Sequence, residues 1–512
     1  MSSSTAATED PRSHLAGDLA VGLASLAFFL FSVPVWSDAL ILGNDVVPYA
    51  VGLRASGTHA LANPHHLGFH PLAWLALQVL GLFGQGTSSV VDALHAQIWI
   101  SSAGGAVTAV ILHRFARELC GARLALALVV AFCAAAGNWL YAAVGESYLP
   151  ATACVAGLLV EALRARLGLI ALRVPVLALW LLLATVMRQD AVFVAIALPL
   201  LLPLPAATRV IALAGCASLA TYFAVWSAAG DVGFLPWLRG LADLGEWGGG
   251  LPSWFDLQLG AVTLQHALHF GVRYPGATTV ASLATTALLV AAAWPARGAR
   301  RGERAAGLRG ALLGLLVYTV VRHAFFTWWQ PGNMEYHAGT LLPLSLVLVL
   351  AASTHAPPRR RAVGLTSLAA LLLVAGNWSS LIEPNRATTM DDRVDRVLAE
   401  AGPQALVLSL TGLQHYAVLR AERPGVEAHS IVDAARFARE EDLAAIEAQV
   451  EAHLASGHSV VVLRDSVLSA RLGLGEQRLE PALIEIFFRH GTVERFTDDR
   501  DEVFALVIAR GP

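Results

Sequence analysis

The chain is poor in charge and contains no lysine. Of its 512 residues only 14% are charged, and all 35 basic residues are arginine. A soluble globular domain carries about 25% charged residues. An ordinary cytosolic protein and a disordered chain are therefore excluded at the outset. A net charge of −3 also excludes a nucleic-acid binder driven by bulk positive charge. The missing lysine fits an arginine-biased, GC-rich bacterial genome and carries no mechanism. Cysteine is scarce as well: Cys120, Cys133, Cys154 and Cys216 lie in apolar stretches without paired-ligand spacing. That argues against a zinc site and against a disulfide framework. The chain has no glycine-rich, nucleotide-binding phosphate loop.

What is abundant is apolar length. Hydrophobic residues make up 56% of the chain, and the mean hydropathy is +0.59. A crossing helix needs about 20 predominantly apolar residues. The first such run, 18–42, is too long for a signal-peptide core and no small-residue cleavage site follows, so it reads as an uncleaved anchor. Ten more runs follow at about 91–113, 121–140, 148–163, 168–187, 190–206, 208–229, 276–295, 309–329, 336–353 and 363–382. The run 71–83 is too short to cross and suits a helix lying at the interface. The fold class predicted is an α-helical polytopic membrane protein with about eleven transmembrane helices.

Arginine then orients the chain. Clusters occur at 114/117/123, 164/166/173, 209, 297–309 and 359–361. With the N-terminus cytoplasmic, all of them fall on the cytoplasmic side, as the positive-inside rule requires. The expected layout is a cytoplasmic tail 1–16, a membrane domain 17–382 with an outer loop 43–90, and an extracytoplasmic domain 383–512, in a bacterial inner (cytoplasmic) membrane. In the last segment charge becomes frequent and apolar runs shorten. There 405–410, 459–463 and 503–509 read as strands, and 442–456 and 480–489 as helices, which predicts a small α/β domain.

Ionisable residues at membrane depth are costly to desolvate, so those near the outer face are functional candidates. They are Asp45; His65, His66 and His70; Glu146; Arg188 with Asp190; and Arg322. The turn after Arg322 adds Trp329, Glu335 and Tyr336. A carboxylate there can take a proton from an acceptor hydroxyl. An arginine can hold a phosphate leaving group and its developing charge. Trp and Tyr can stack on sugar rings. Together these suit sugar transfer from a lipid phosphate outside the cytoplasm. Plainer readings stand beside them. Asp45 can be a solvated loop acid, with Asp38 competing for its role. The histidine spacing matches no strong metal motif. Arg188 and Asp190 can form a local pair, Trp328 and Trp329 can anchor at the interface, and Glu335 can be a helix-start acid.

The order of these features resembles the GT-C superfamily of polytopic glycosyltransferases. A first crossing ends in an acid, Asp45. An outer loop follows with Pro64-His65-His66-Leu67-Gly68-Phe69-His70-Pro71-Leu72, and Glu146-Ser147-Tyr148 comes later. The loop looks like a degenerate form of the His-Pro-Pro-Gly-Tyr-Pro-Leu-like stretch of the bacterial, protein O-mannosyltransferase-like branch. The resemblance covers 17–382 in layout. It implies a polyprenyl-phosphate-linked sugar as donor and a protein, glycan or lipid as acceptor. It puts the catalytic base on Asp45 and a second acidic role on Glu146. The other candidates, His65, His66, His70, Arg188, Arg322, Trp329, Glu335 and Tyr336, would bind donor phosphate or substrate. No cofactor is demanded, and a divalent cation is compatible. This chain departs from the family in having Val46-Val47-Pro48-Tyr49 after Asp45 where an acidic pair is usual. A transporter or flippase for a lipid-linked sugar, and an inactive scaffold of the same fold, are the alternatives. Transporters usually show related halves; here the halves are unlike and the charges gather at one face.

Overall fold

The computed structural model describes residues 11–32, 46–55, 66–84, 90–229, 233–235, 253–270, 275–293, 303–329, 334–353, 359–378, 381, 390–402, 404–409, 426–430, 440–463, 489, 492–497 and 503–509. The helices run in order α1 (Pro11–Ser32), α2 (Val46–Ala55), α3 (Phe69–Leu82), α4 (Val90–Cys120), α5 (Ala122–Ala134), α6 (Ala136–Ala143), α7 (Tyr148–Arg166) and α8 (Val174–Met187). A 3-10 segment (Gln189–Ala197) leads into α9 (Leu198–Leu201) and α10 (Leu204–Ala229). Then come α11 (Trp254–Leu268), α12 (Pro275–Ala293), α13 (Glu303–Trp329), α14 (Met334–Ala338), α15 (Leu341–Ser353) and α16 (Arg359–Asn377).

Among the described residues, six helical stretches are long and apolar enough to cross a membrane: those of α1, α4, α7, α10, α13, and α14 joined to α15. The pair α5–α6, bent by 66°, makes a seventh if taken as one span. The eleven crossings expected from the sequence are not reached on length and composition. The physical reason is interruption. α8 has 14 residues, which at 1.5 Å per residue span about 21 Å, against a hydrocarbon core of roughly 30 Å. The run after it is broken into a 3-10 segment and a four-residue helix.

The interior is organised around α4, which packs against α1, α2, α3, α5 and α7. Small residues make this close packing feasible. A Cβ on Gly104 would stand 2.5 Å from the Pro150 backbone nitrogen, and one on Gly105 would stand 2.6 Å from the Phe29 ring. Every residue of α7 from Tyr148 to Leu163 is buried, as befits a helix apolar all round. α10 is its opposite: Leu204, Leu213, Leu219 and Phe223 are exposed, an apolar surface suited to lipid. α3 buries Phe69, Ala73 and Leu77, one stripe at four-residue spacing, and leaves Leu75, Val79 and Leu82 outside.

The C-terminal segment comprises α17 (Met390–Ala401), β1 (Leu406–Ser409), β2 (Glu427–Ser430), α18 (Glu440–Ala455), β3 (Val460–Leu463), β4 (Thr492–Thr497) and β5 (Val503–Ala509). The strands form one sheet in the order β2-β1-β3-β5-β4, with β1 parallel to β2 and β3, and β5 antiparallel to β3 and β4. Alternate strand residues face opposite sides. Leu406, Leu408, Val460 and Val462 meet Ile446, Val450 and Leu454 of α18. Val407 and Val461 meet Val397 of α17. Helices thus cover both faces of the sheet. Apart from Arg489, the helix expected at 480–489 lies outside the described residues.

Candidate functional site

The most conspicuous polar group inside the bundle begins where α8 stops. Arg188 has extended backbone angles (φ −161°, ψ 119°), which end the helix. Its Nε donates to Asp190 Oδ1 at 2.7 Å, and its Nη1 contacts Glu335 Oε1 on α14. Arg322 of α13 approaches from the other side, with Nη2 2.9 Å from Asp190 Oδ2. The same Nη2 donates to the Tyr336 carbonyl at 3.3 Å. Asp190 is therefore bridged between two guanidinium groups. Arg188, Asp190 and Arg322 are all under 9% exposed. Burying charge at this level is tolerable only because each group is paired and hydrogen-bonded. Two arginines face two carboxylates, so the cluster is formally neutral.

Aromatic rings complete it. Tyr336 and Phe326 stack at 4.4 Å and 10°. Arg188 lies over the Tyr336 ring and Arg322 over the Phe326 ring, each 4.8 Å from the centroid, a cation–π arrangement on both sides of the stack. Trp329 leans on Tyr336 at 5.2 Å. Gly339 has no side chain for a reason: a Cβ there would collide with the Arg322 guanidinium. A cavity of about 20 Å³ opens beside the cluster, lined by Tyr148, Thr152, Arg188, Asp190, Tyr318 and Arg322 among others. Its size suits about one water.

Residues 66–68, just before α3, dock on the same helix end. Gly68 N–H donates to the Val186 carbonyl at 2.8 Å, and His66 Nδ1 is 3.4 Å from the Met187 carbonyl oxygen. Tyr49 stands edge-on to His66 at 5.3 Å and to His70 at 4.5 Å. Burial pushes the His70 imidazole down to about 4, so it is neutral at pH 7 and offers hydrogen bonds rather than a charge. Glu146 sits in a turn created by Gly145, whose φ of +89° is left-handed and favours glycine. The Glu146 carbonyl accepts from Ser101 Oγ, and its carboxylate accepts from the Ser147 N–H at 3.3 Å. Tyr141 lies within electrostatic reach of Glu146, Glu335 and Arg188 together.

The structure thus gathers Arg188, Arg322, Glu335, Tyr336 and Trp329 into one cluster, with His66 at its edge and Glu146 nearby. Asp45 and His65 lie outside the described residues. Sequence reasoning missed Tyr148, Tyr318 and Phe326 as neighbours of the arginines. A signal existed. Tyr318 and Phe326 stand four residues before and after Arg322, a spacing that shares one helix face. Among the described residues no three His, Cys, Asp or Glu side chains converge on one point.

No family model matches the chain, and no curated protein matches it. Solved structures do resemble it. ArnT from Cupriavidus metallidurans bound to undecaprenyl phosphate aligns with a TM-score of 0.53 and 12% identity over 97% of both chains. The apo state of the same protein gives 0.52 and 11% over 98% of both. The oligosaccharyltransferase AglB from Archaeoglobus fulgidus, in complex with an inhibitory peptide and a dolichol-phosphate, gives 0.49 and 12% over 96% of this chain and 74% of its own. The likeness to ArnT over nearly the whole length shows a shared fold. The protein O-mannosyltransferase-like branch suggested by the outer loop has no counterpart among these three.

Proposed function

We propose that this chain is an integral membrane glycosyltransferase that moves a sugar from a polyprenyl-phosphate donor to an acceptor on the outer face of the membrane. The observation that carries the reading is the buried Arg188–Asp190–Arg322–Glu335 cluster, in a fold shared with a protein whose structure holds undecaprenyl phosphate. Two arginines at the end of membrane helices suit a phosphate at the lipid interface, and their planar forks match its oxygens.

The neutrality of the cluster constrains how a donor would bind. Glu335 sits on the Arg188 Nη1 that a phosphate oxygen would use. Its side chain, 12% exposed, is the more accessible of the two carboxylates. Donor binding would exchange Glu335 for phosphate, while Asp190 keeps both guanidinium groups aligned. Asp45 would take the proton from the acceptor hydroxyl. The acceptor oxygen would then form its bond to the anomeric carbon as the bond to the phosphate oxygen breaks, with inversion. The leaving electron pair ends on a phosphate held by Arg188 and Arg322. Glu146 would position the acceptor, and His65, His66, His70, Trp329 and Tyr336 would line the path of the sugar. A divalent cation is compatible with this scheme but supplies none of its steps. The acceptor class remains protein, glycan or lipid. The orientation that goes with the proposal is a cytoplasmic N-terminus and an extracytoplasmic C-terminal domain in a bacterial inner membrane.

The test is transfer from polyprenyl-phosphate sugars in proteoliposomes holding the purified full chain. Transfer that is lost in Arg188→Gln and Asp45→Asn supports the proposal. Movement of the lipid-linked sugar between leaflets with no transfer would sink it in favour of a flippase.

A further inference from the structure

A cavity of about 810 Å³ lies away from the arginine–carboxylate cluster, at the other end of α7 and α8. Along α7, the thirteen steps from Tyr148 to Glu161 separate the two by about 20 Å. Its apolar lining comes from Ile111, Phe115, Val160, Val176 and Trp180, all but Phe115 about one helical turn or more inward from the basic residues on the same helices. Gly157 keeps this wall open: a Cβ there would stand 2.6 Å from the Trp180 indole. Arg114, Arg117, Arg164 and Arg173 line it toward the ends of those helices. A volume of this size is in the range that encloses a drug-sized ligand.

The charges at this end do not cancel. Arg164 pairs with Glu118 at 3.0 Å, and Arg173 donates to Glu161 at 2.7 Å. Arg117 and Arg114 share one acid, Asp18, at 3.1 and 3.3 Å, and His113 Nδ1 also lies 3.1 Å from it. Among the described residues, these four arginines thus meet three carboxylates, leaving one positive charge over. Of the two arginines on Asp18, Arg114 is the exposed one, with 68% of its side chain in solvent against 19% for Arg117.

We propose that this cavity holds an anionic phospholipid, with its phosphodiester on Arg114, Arg164 and Arg173 and an acyl chain along the Val160–Trp180 wall. A surplus cation beside an apolar slot is the complement of an amphiphile bearing one negative charge. A water-soluble anion would make no use of the apolar wall. The placement also agrees with the positive-inside orientation, because anionic headgroups attract basic pockets between helices on the cytoplasmic side. This site is independent of the donor site: it lies at the opposite end and uses none of the same side chains.

Native mass spectrometry of the full chain, released from nanodiscs of mixed phosphatidylglycerol and phosphatidylcholine, tests it. The wild type should retain phosphatidylglycerol in preference to phosphatidylcholine. Arg114→Gln should weaken that preference about fivefold, as expected for one basic group near the surface. This variant leaves Asp18 paired with Arg117, so no buried charge is orphaned. The triple variant Arg114→Gln, Arg164→Gln, Arg173→Gln should abolish the preference. Equal retention of both lipids by the wild type would overturn the proposal. So would an unchanged preference in Arg114→Gln, or displacement of the bound lipid by inorganic phosphate alone, which would make the site one for a free anion.

Discussion

Arg188 contacts two carboxylates, and that fixes how its variants should behave. Removing one partner of a buried pair is destabilising by about 3–5 kcal/mol, because the other charge is left unpaired. Arg188→Gln is therefore expected to lower thermal stability in detergent as well as transfer. Glu335→Gln should act differently. It removes the negative charge that competes with phosphate at Arg188 Nη1 and leaves Arg188 on Asp190, so donor KM should fall several-fold. A KM that rises instead would show that Glu335 contributes to donor binding rather than competing with it. Asp45→Asn should slow transfer by about 100- to 10,000-fold, the usual contribution of a general base, with no change in the unfolding temperature. The candidates were legible because ionisable side chains stand out against apolar runs. Their pairing was not. Arg188 and Glu335 are 147 residues apart, and only tertiary packing shows that each arginine already has its counter-charge.

Single helices were easier to read than the breaks between them. Apolar length locates α1, α4, α7, α10 and α13, but nothing in the run of alanines around Ala135 announces a 66° bend. The bend has an identifiable cause in satisfied backbone groups. Ala135 is extended (φ −62°, ψ 130°). The Phe132 carbonyl, freed at the end of α5, accepts from Asn138 Nδ2 at 2.8 Å, and the Ala134 carbonyl accepts from Asn377 Nδ2 at 2.7 Å. One of those two donors comes from α16, 243 residues away, which is why sequence proximity could not reveal it. Packing between helices gives a sharper contrast. Gly104 on α4 faces the Pro150 backbone of α7, whereas a Cβ on Gly215 of α10 would meet nothing within 4 Å. Gly104→Val should lower stability by about 1–3 kcal/mol through overpacking, read as a drop in midpoint in a detergent melt. Gly215→Ala should leave the midpoint unchanged or slightly raised.

Over the whole molecule, two kinds of end alternate. The arginines fall at the C-terminal ends of α4 and α7 and at the N-terminal ends of α5, α8, α10, α13 and α16. The acid–base cluster takes the reverse ends, at the start of α7, the end of α8 and the end of α13. This alternation holds only if the interrupted elements, α8, the 3-10 segment with α9, α12 and α16, also pass from one end to the other. Length alone gives six or seven crossings, whereas arginine placement asks for eleven. The expected large-scale layout rests on the positive-inside rule, which works on loop composition rather than on helix length. Length does not decide the shorter elements, since neighbouring protein can cover backbone that lipid cannot. The element that decides between the counts is α16, which begins at Arg359-Arg360-Arg361 and ends at Asn377. If it crosses, the end of α15 and the C-terminus lie on opposite sides. A reporter that folds only in the cytoplasm should then be active when fused after Ser353 and silent when fused after Pro512. A reporter that needs the extracytoplasmic side should give the reverse. Matching signals at the two positions would mean that α16 does not cross. The sheet of β1 to β5 would then lie on the arginine side, far from the proposed donor site. Replacing Arg359, Arg360 and Arg361 with serine should blur the difference between the two fusions, because the charge that holds this end inside would be gone.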